Sequence, residues 1–218
     1  MENPTRKPQF NGAINRFLKK KQIKLPLFTR KLVELKDVFS VRLMDLYTDP
    51  LTIHYWVNMP YSYNFWGMKG ATAKDIRDYY DEKMAHALLY PFIISYGKHP
   101  IALIEIYNVE KDELSRHIKS TQLDKGIHTL MAPPRYLLTK LPEKIRNISK
   151  EALVTALQFA FSFSGIDRIY TEPHADNFHA NELARQMGWE FIKEIDMVSK
   201  KANLFCFEKQ QFLEQYPL

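Results

Sequence analysis

A chain of 218 residues with 45% apolar residues is long enough for one domain around its own core, and a chain of this size buries roughly 70% of the surface its unfolded form exposes. Its single cysteine, Cys206, excludes an intramolecular disulfide and a thiolate metal cluster, and apolar Leu204, Phe205 and Phe207 around it mark a buried, inert thiol. The net charge of +6 sits at one end: residues 1–31 hold nine of the 31 Lys and Arg residues and one acid, Glu2, so the remaining 22 basic and 24 acidic residues exclude a basic nucleic-acid surface on the body of the protein.

No apolar run reaches the roughly 18 residues of a membrane helix, and the N-terminus lacks the roughly 7–15-residue apolar segment of a signal peptide. A soluble, cytoplasmic protein without a membrane span is expected. Residues 1–31 read as a basic extension, and residues 32–218 as one domain. Within the extension Phe10, Ile14, Phe17 and Leu18 fall at helical spacing, which allows it to dock as a short amphipathic helix.

Residues 39–44 alternate as a strand, and a short helix is expected near residues 50–56. Residues 72–87 form an amphipathic helix with Ile76, Tyr79, Tyr80 and Met84 near helical spacing. Residues 91–96 and 101–107 are apolar, aromatic and β-branched, and Gly97-Lys98-His99-Pro100 between them predicts an antiparallel hairpin. A charged loop over 110–125 leads to a strand carrying His128, followed by a helix whose face is Leu153, Ala156, Leu157, Ala160 and Phe161. The next strand is 166–171. Asp176 or Asn177 then caps a helix with Ala180, Leu183, Ala184 and Met187 on its core face and Gly188 at its stop. Strands at 189–197 and 202–207 complete a mixed α/β fold with a mostly antiparallel sheet flanked by helices.

Gly126-Ile127-His128 places a histidine on one strand, and Glu172-Pro173 places a carboxylate at the end of another. Each strand leads into a helix, an arrangement that supports proton transfer at a cleft between strands. An isolated His or Glu near a strand end is more often a satisfied structural group, and spacing alone leaves both readings open. No Cys/His ligand spacing points to a metal.

The element order is that of a GNAT-type N-acyltransferase, although other α+β folds share it. More specific are His54-Tyr55-Trp56-Val57-Asn58-Met59-Pro60 with Phe65-Trp66-Gly67-Met68, then Ile104-Glu105-Ile106-Tyr107 with Lys111-Asp112-Glu113, then the His128 segment and Glu172-Pro173. Together, over residues 35–212, these resemble the siderophore-biosynthesis branch of GNAT enzymes: the N-hydroxylysine acetyltransferase of aerobactin assembly, the mycobactin lysine acyltransferases and their relatives.

The resemblance implies transfer of an acetyl or other short acyl group from acyl-CoA to the hydroxylamino nitrogen of an N-hydroxylated diamine or lysine. The product is a hydroxamate that chelates ferric iron, and association with other enzymes of that pathway is a further expectation. His128 matches the family's active-site histidine, and Glu172 matches an acidic residue that is Asp in the mycobactin branch. A neutral imidazole is expected to take the amine proton, for roughly 10²–10⁴-fold of rate, with Glu172 orienting it or serving as base, and Asp176 as a helix cap. A backbone N–H around Leu130, Met131 and Ala132 is expected to hold the tetrahedral oxyanion.

GNAT enzymes usually hold the CoA pyrophosphate in a loop of type R-x-x-G-x-G or R-x-x-G-x-A, but residues 133–149 here contain no glycine. Arg135, Lys140, Lys144 and Arg146 are expected to supply charge-assisted contacts instead, with the helix starting at Pro142 or near Ser149. Asn177 matches the family's asparagine near the pantetheine arm, and simple capping explains it equally well. His54, Trp56, Trp66 and Met68 are either a core cluster or the wall of a pocket for the acceptor's methylene chain, with Glu105 paired to the amine at its far end. Two alternatives stand beside this reading: a GNAT enzyme acting on an ordinary amine such as a polyamine or aminoglycoside, and a binding module that has kept the fold without CoA.

Overall fold

The computed structural model describes residues 9–19 and 25–218. In chain order its elements are α1 (Phe10–Lys19), β1 (Phe28–Lys31), β2 (Val38–Leu43), α2 (Asp49–Val57), α3 (Pro60–Trp66), α4 (Ala73–Ala85), β3 (Leu89–Tyr96) and β4 (His99–Asn108). Two 3₁₀ turns (Val109–Lys111 and Glu113–Arg116) lead to β5 (Asp124–Met131), α5 (Pro134–Lys140), α6 (Ile148–Phe161), β6 (Arg168–Thr171), α7 (Phe178–Gln186), β7 (Glu190–Asp196), β8 (Lys201–Glu208) and α8 (Lys209–Gln215).

The eight strands form one sheet in the order β1-β2-β3-β4-β5-β6-β8-β7. Every neighbouring pair is antiparallel except β5 and β6, so the mixed, mostly antiparallel sheet is the one expected. One face packs against α1 and α6, burying Phe10, Ile14, Phe92, Leu157 and Phe159. The other packs against α2 and α4 through Ile53, Trp56, Ile76 and Tyr80.

Local chemistry sets several of these boundaries. Thr72 and Asp75 close a capping box on α4, each side chain bonding the other's backbone N–H. Gly97 turns the β3–β4 hairpin at φ 55°, under the Asp37 carboxylate, where a Cβ would lie 2.1 Å from Oδ2. α7 is capped by Asn177, whose Oδ1 accepts from the Ala180 N–H at 3.2 Å. Asp176, the other candidate cap, is exposed instead, because the chain reaches the helix only one residue later.

Four elements, β1, α3, α5 and α8, were not expected, whereas the helix allowed for in the extension is present as α1. β1 lies inside the basic extension and pairs with β2, and α1 buries Phe10, Ala13 and Ile14 in the core, so both pack with the rest of the chain. The side chains of Phe17 and Leu18 lie outside the described residues. α3, α5 and α8 have seven residues each, too few for a periodic apolar pattern to emerge. α6 begins at Ile148, the later of its two expected starts.

Candidate active site

β5 and β6 are bonded only from Asp124 to Gly126, opposite Arg168 to Tyr170. β5 continues to Met131 along β4, while β6 stops at Thr171 and its chain turns away, so the two strands open into a splay. His128 projects from β5 at the mouth of the opening, and Glu172 follows β6 directly. At the closed end Arg168 clamps the Asp124 carboxylate with two bonds of 2.8 Å.

His128 is held between two carboxylates. Its Nε2 lies 2.5 Å from Glu172 Oε1, and its Nδ1 lies 2.8 Å from Glu105 Oε2. Glu105 is the cross-strand partner of His128 in the β4–β5 ladder, so the two side chains stand side by side on the same face. The remaining carboxylate oxygens are also bonded. Tyr80 Oη donates to Glu105 Oε1 at 2.7 Å, Tyr107 Oη donates to Glu172 Oε2 at 2.7 Å, and Lys200 Nζ approaches Glu172 Oε1 at 3.5 Å. The Tyr107 ring lies 4.7 Å from the imidazole, and Trp66 meets it edge-on at 6.3 Å. The Glu172 side chain is 2% exposed, whereas 31% of the His128 side chain faces the opening.

Charge decides the protonation of this group. Burial opposes the imidazolium, but the charges and hydrogen bonds of Glu172 and Glu105 outweigh it and raise the His128 pKa to about 10. Burial likewise opposes the Glu172 carboxylate, yet the His128 cation, Lys200 and Tyr107 bring its pKa down to about 2. Tyr80 and Tyr107 are pushed well above the usual phenol range, first by burial and then by the carboxylates they serve, so they stay donors. Where the sequence led to the expectation of a neutral imidazole, the raised pKa favours an imidazolium held between two carboxyl groups.

Gly126 makes this packing possible. It sits opposite Tyr107, and a Cβ there would fall 1.8 Å from the ring's Cζ. Gly126→Ala is expected to lower stability by about 1–3 kcal/mol through overpacking and to displace Tyr107 from Glu172. Urea unfolding and the tyrosine absorbance of the variant check both effects.

The remaining candidates separate. Trp56 is buried in the core shared with α4 and does not line the cleft beside Trp66, while His54 is exposed on the outer side of α2. Trp66 and Met68 do line a cleft of about 490 Å³, with Gly70, Asp75, Ile76 and Tyr79. Glu105 stands behind the imidazole with both oxygens engaged, rather than at the far end of that cleft. Ala132 N–H donates to Ile101 O at 2.8 Å, so the alternation of an antiparallel strand turns Leu130 N–H towards β4 as well. Of the three, Met131 alone turns its N–H into the splay, and its carbonyl accepts from Tyr61 Oη at 2.7 Å. α3 thus spans the opening, with Tyr61 on β5 at one lip and Phe65 against His174 at the other.

On the far side of the splay, Lys144 and Arg146 are exposed in the turn that enters α6. Asn147 takes a left-handed φ of 54° and makes no side-chain cap, leaving the first N–H groups of α6 open to an anion. Asn177 is committed to capping α7. Cys206 is buried, and burial pushes its thiol up to about 12, so it is no nucleophile. Among the described residues no cluster of three or more His, Cys, Asp or Glu is arranged to hold a metal, and no helix is long and apolar enough to cross a membrane.

Sequence reasoning missed Tyr80, Tyr107 and Lys200 as members of the site. Gly126 was the available signal for Tyr107, because a glycine inside a strand marks a close approach by a neighbour. Nothing in the local sequence points to Tyr80 or Lys200, which reach the site from α4 and from the turn between β7 and β8.

Residues 45–197 match the family described as acetyltransferase (GNAT) domain. No curated protein matches the sequence. Similar solved structures include an uncharacterized protein from Bacillus halodurans, 18% identical, with a TM-score of 0.76 over 87% of this chain and 93% of that one. Aminoglycoside acetyltransferase AAC(6')-Ib in complex with coenzyme A is 20% identical, with a TM-score of 0.69 over 81% and 98% of the two chains. Spermidine N-acetyltransferase from Vibrio cholerae in complex with CoA and spermine is 13% identical, with a TM-score of 0.61 over 80% and 98%. At these identities the likeness is one of fold.

Proposed function

Since this chain belongs to the acetyltransferase (GNAT) domain family, we propose that it transfers acetyl or another short acyl group from acyl-CoA to the hydroxylamino nitrogen of an N-hydroxylated diamine or lysine, forming the hydroxamate of a siderophore. The observation that carries this reading is the bracketing of His128 by Glu105 and Glu172. At neutral pH the imidazole is a cation with both N–H groups engaged, so it offers no lone pair to strip an alkylammonium ion. A nitrogen bearing a hydroxyl group is far less basic than an alkylamine and enters as a neutral nucleophile. It needs to lose a proton only after it has attacked, when that proton is strongly acidic. The motifs that resemble those of the siderophore branch, in the same order, support the same acceptor.

In this reading Trp66 and Met68 flank the acceptor's methylene chain. The acceptor nitrogen attacks the thioester carbon, and Met131 N–H meets the carbonyl oxygen as it becomes anionic, a contact worth about 3 kcal/mol. As the carbon–sulfur bond breaks, the His128 imidazolium gives a ring proton to the leaving thiolate and takes in its place the proton shed by the nitrogen, so charge and protons balance and no covalent acyl-enzyme forms. The open N–H groups of α6, with Lys144 and Arg146, suit the pyrophosphate of CoA without glycines in the loop.

The rival acceptor is an ordinary amine. Spermine and kanamycin appear with the neighbouring acetyltransferases, and Asp75 on the cleft wall would attract a polycation. The test is acyl-CoA-dependent thiol release with N-hydroxyputrescine, N-hydroxycadaverine and N-hydroxylysine beside putrescine, spermidine and kanamycin, with mass spectrometry of the products. Hydroxamate formed in preference to any acylated plain amine is the expected result. Turnover of the plain amines alone would replace the hydroxylamine reading, and calorimetry without acyl-CoA binding would remove both.

A further inference from the structure

We propose that Glu105 is a positioning residue of this reaction: it holds His128 by Nδ1, is itself held by buried Tyr80 of α4, the helix whose other residues wall the acceptor cleft, and so keeps Nε2 on Glu172. The proposal rests on the acyl-transfer reading above, but adds a residue that acts through the histidine and never touches substrate. Glu105 is buried, and each of its oxygens has a donor from a different element, His128 on β5 at 2.8 Å and Tyr80 on α4 at 2.7 Å. A buried carboxylate is tolerated where its lone pairs are satisfied in this way. The neighbours of Tyr80 on α4, Asp75, Ile76 and Tyr79, face the cleft, so a shift of that wall reaches the imidazole through two hydrogen bonds.

The same bonds set which nitrogen carries a proton. The groups around the ring are Glu105 and Tyr107 from β4, Glu172 after β6, Lys200 before β8, Asp112 between the 3₁₀ turns, and uncharged Trp66 from α3. Glu172 alone requires one ring proton, on Nε2. Glu105 requires a second, on Nδ1, and this makes the ring a cation. In Glu105→Gln the neutral amide can instead donate to Nδ1, which preserves the contact and removes the demand for the second proton.

The experiment is ¹⁵N NMR of the His128 ring in the full-length protein without substrates, paired with steady-state kinetics. In the wild type both ring nitrogens should stay protonated through neutral pH. In Glu105→Gln the titration should move to lower pH by about one unit or more. Turnover should fall by roughly 10²-fold, as for other misplaced catalytic groups, with KM for acyl-CoA unchanged. Tyr80→Phe leaves Glu105 a carboxylate but less firmly held, so turnover should fall by less while both ring nitrogens stay protonated through neutral pH, and it serves as the test should Glu105→Gln fail to fold. An unshifted titration in Glu105→Gln, or wild-type turnover in either variant, would overturn the proposal. The NMR readout needs no acceptor, so a protein inactive with every acceptor would count against the acyl-transfer reading while the titration still judged Glu105.

Discussion

In His128→Ala, turnover is expected to fall by about 10²–10⁴-fold while acyl-CoA affinity, measured by calorimetry, stays at the wild-type level. The ring lies at the mouth of the splay, and the α6 N-terminus, Lys144 and Arg146 that suit the pyrophosphate make no contact with it. The variant also leaves two buried carboxylates without the cation between them, and this second effect has a sign that can be worked out. In the wild type the raised His128 pKa contributes stability that is complete below the usual 6.5 and is lost as pH rises through about 10. The lowered Glu172 pKa contributes stability that is complete above the usual 4.5 and is lost as pH falls through about 2. Both contributions are therefore whole between pH 4.5 and 6.5. Removing the ring takes away the first contribution and the His128 share of the second, leaving Glu172 with Lys200 and Tyr107, and the buried Glu172 of the variant regains a proton more readily as pH falls. The deficit in thermal midpoint against the wild type should thus be largest near the top of that window and shrink towards either extreme. A deficit that does not vary with pH would remove the ion cluster from the account of stability, and unchanged turnover would remove His128 from the chemistry.

How much of this was legible depended on whether a signal was local. The β3–β4 hairpin and α7 were read from turn and cap residues at their own ends, such as Gly97 and Asn177, and α4 from the helical spacing of Ile76, Tyr80 and Met84. His128 and Glu172 could be nominated because each stands at a strand end before a helix. Glu105 could be nominated but not placed. Its strand is buried on both faces beyond His99 and Pro100, so no apolar alternation says which face a residue takes. Only the β4–β5 register, pairing Glu105 with His128, turns it towards the imidazole instead of an ammonium group. The raised pKa of His128 was not legible for the same reason, since it depends on Glu105 standing beside the ring as well as Glu172. Trp56 and Trp66 looked equivalent in sequence. They differ because Trp56 sits on the side of α2 that faces α4, whereas Trp66 ends α3, where Gly67 at φ 74° breaks the helix at the edge of the cleft.

The splay also needs a closed end, and a second large effect is expected there. Arg168→Met should lower stability by about 3–5 kcal/mol in urea unfolding, because it leaves a buried charge without its partner. The two partners are not equivalent: the Asp124 side chain is 0% exposed, whereas that of Arg168 is 33% exposed. Losing Arg168 strands Asp124 in the interior, with only the Thr121 N–H and hydroxyl left to bond it. Losing Asp124 leaves a guanidinium that water already reaches, so Asp124→Leu should be the milder single change. Replacing both should recover part of what Arg168→Met loses, since the stranded anion is then gone and only packing differs. A double variant as unstable as the sum of the two would show that the pair is not what joins the strands here. Asp124 and Arg168 are also the first register partners of a parallel contact only three residues long, immediately before the strands part. Loosening that contact should widen the opening in which Met131 N–H and His128 face the thioester, so KM for acyl-CoA should rise in Arg168→Met even where the fold persists.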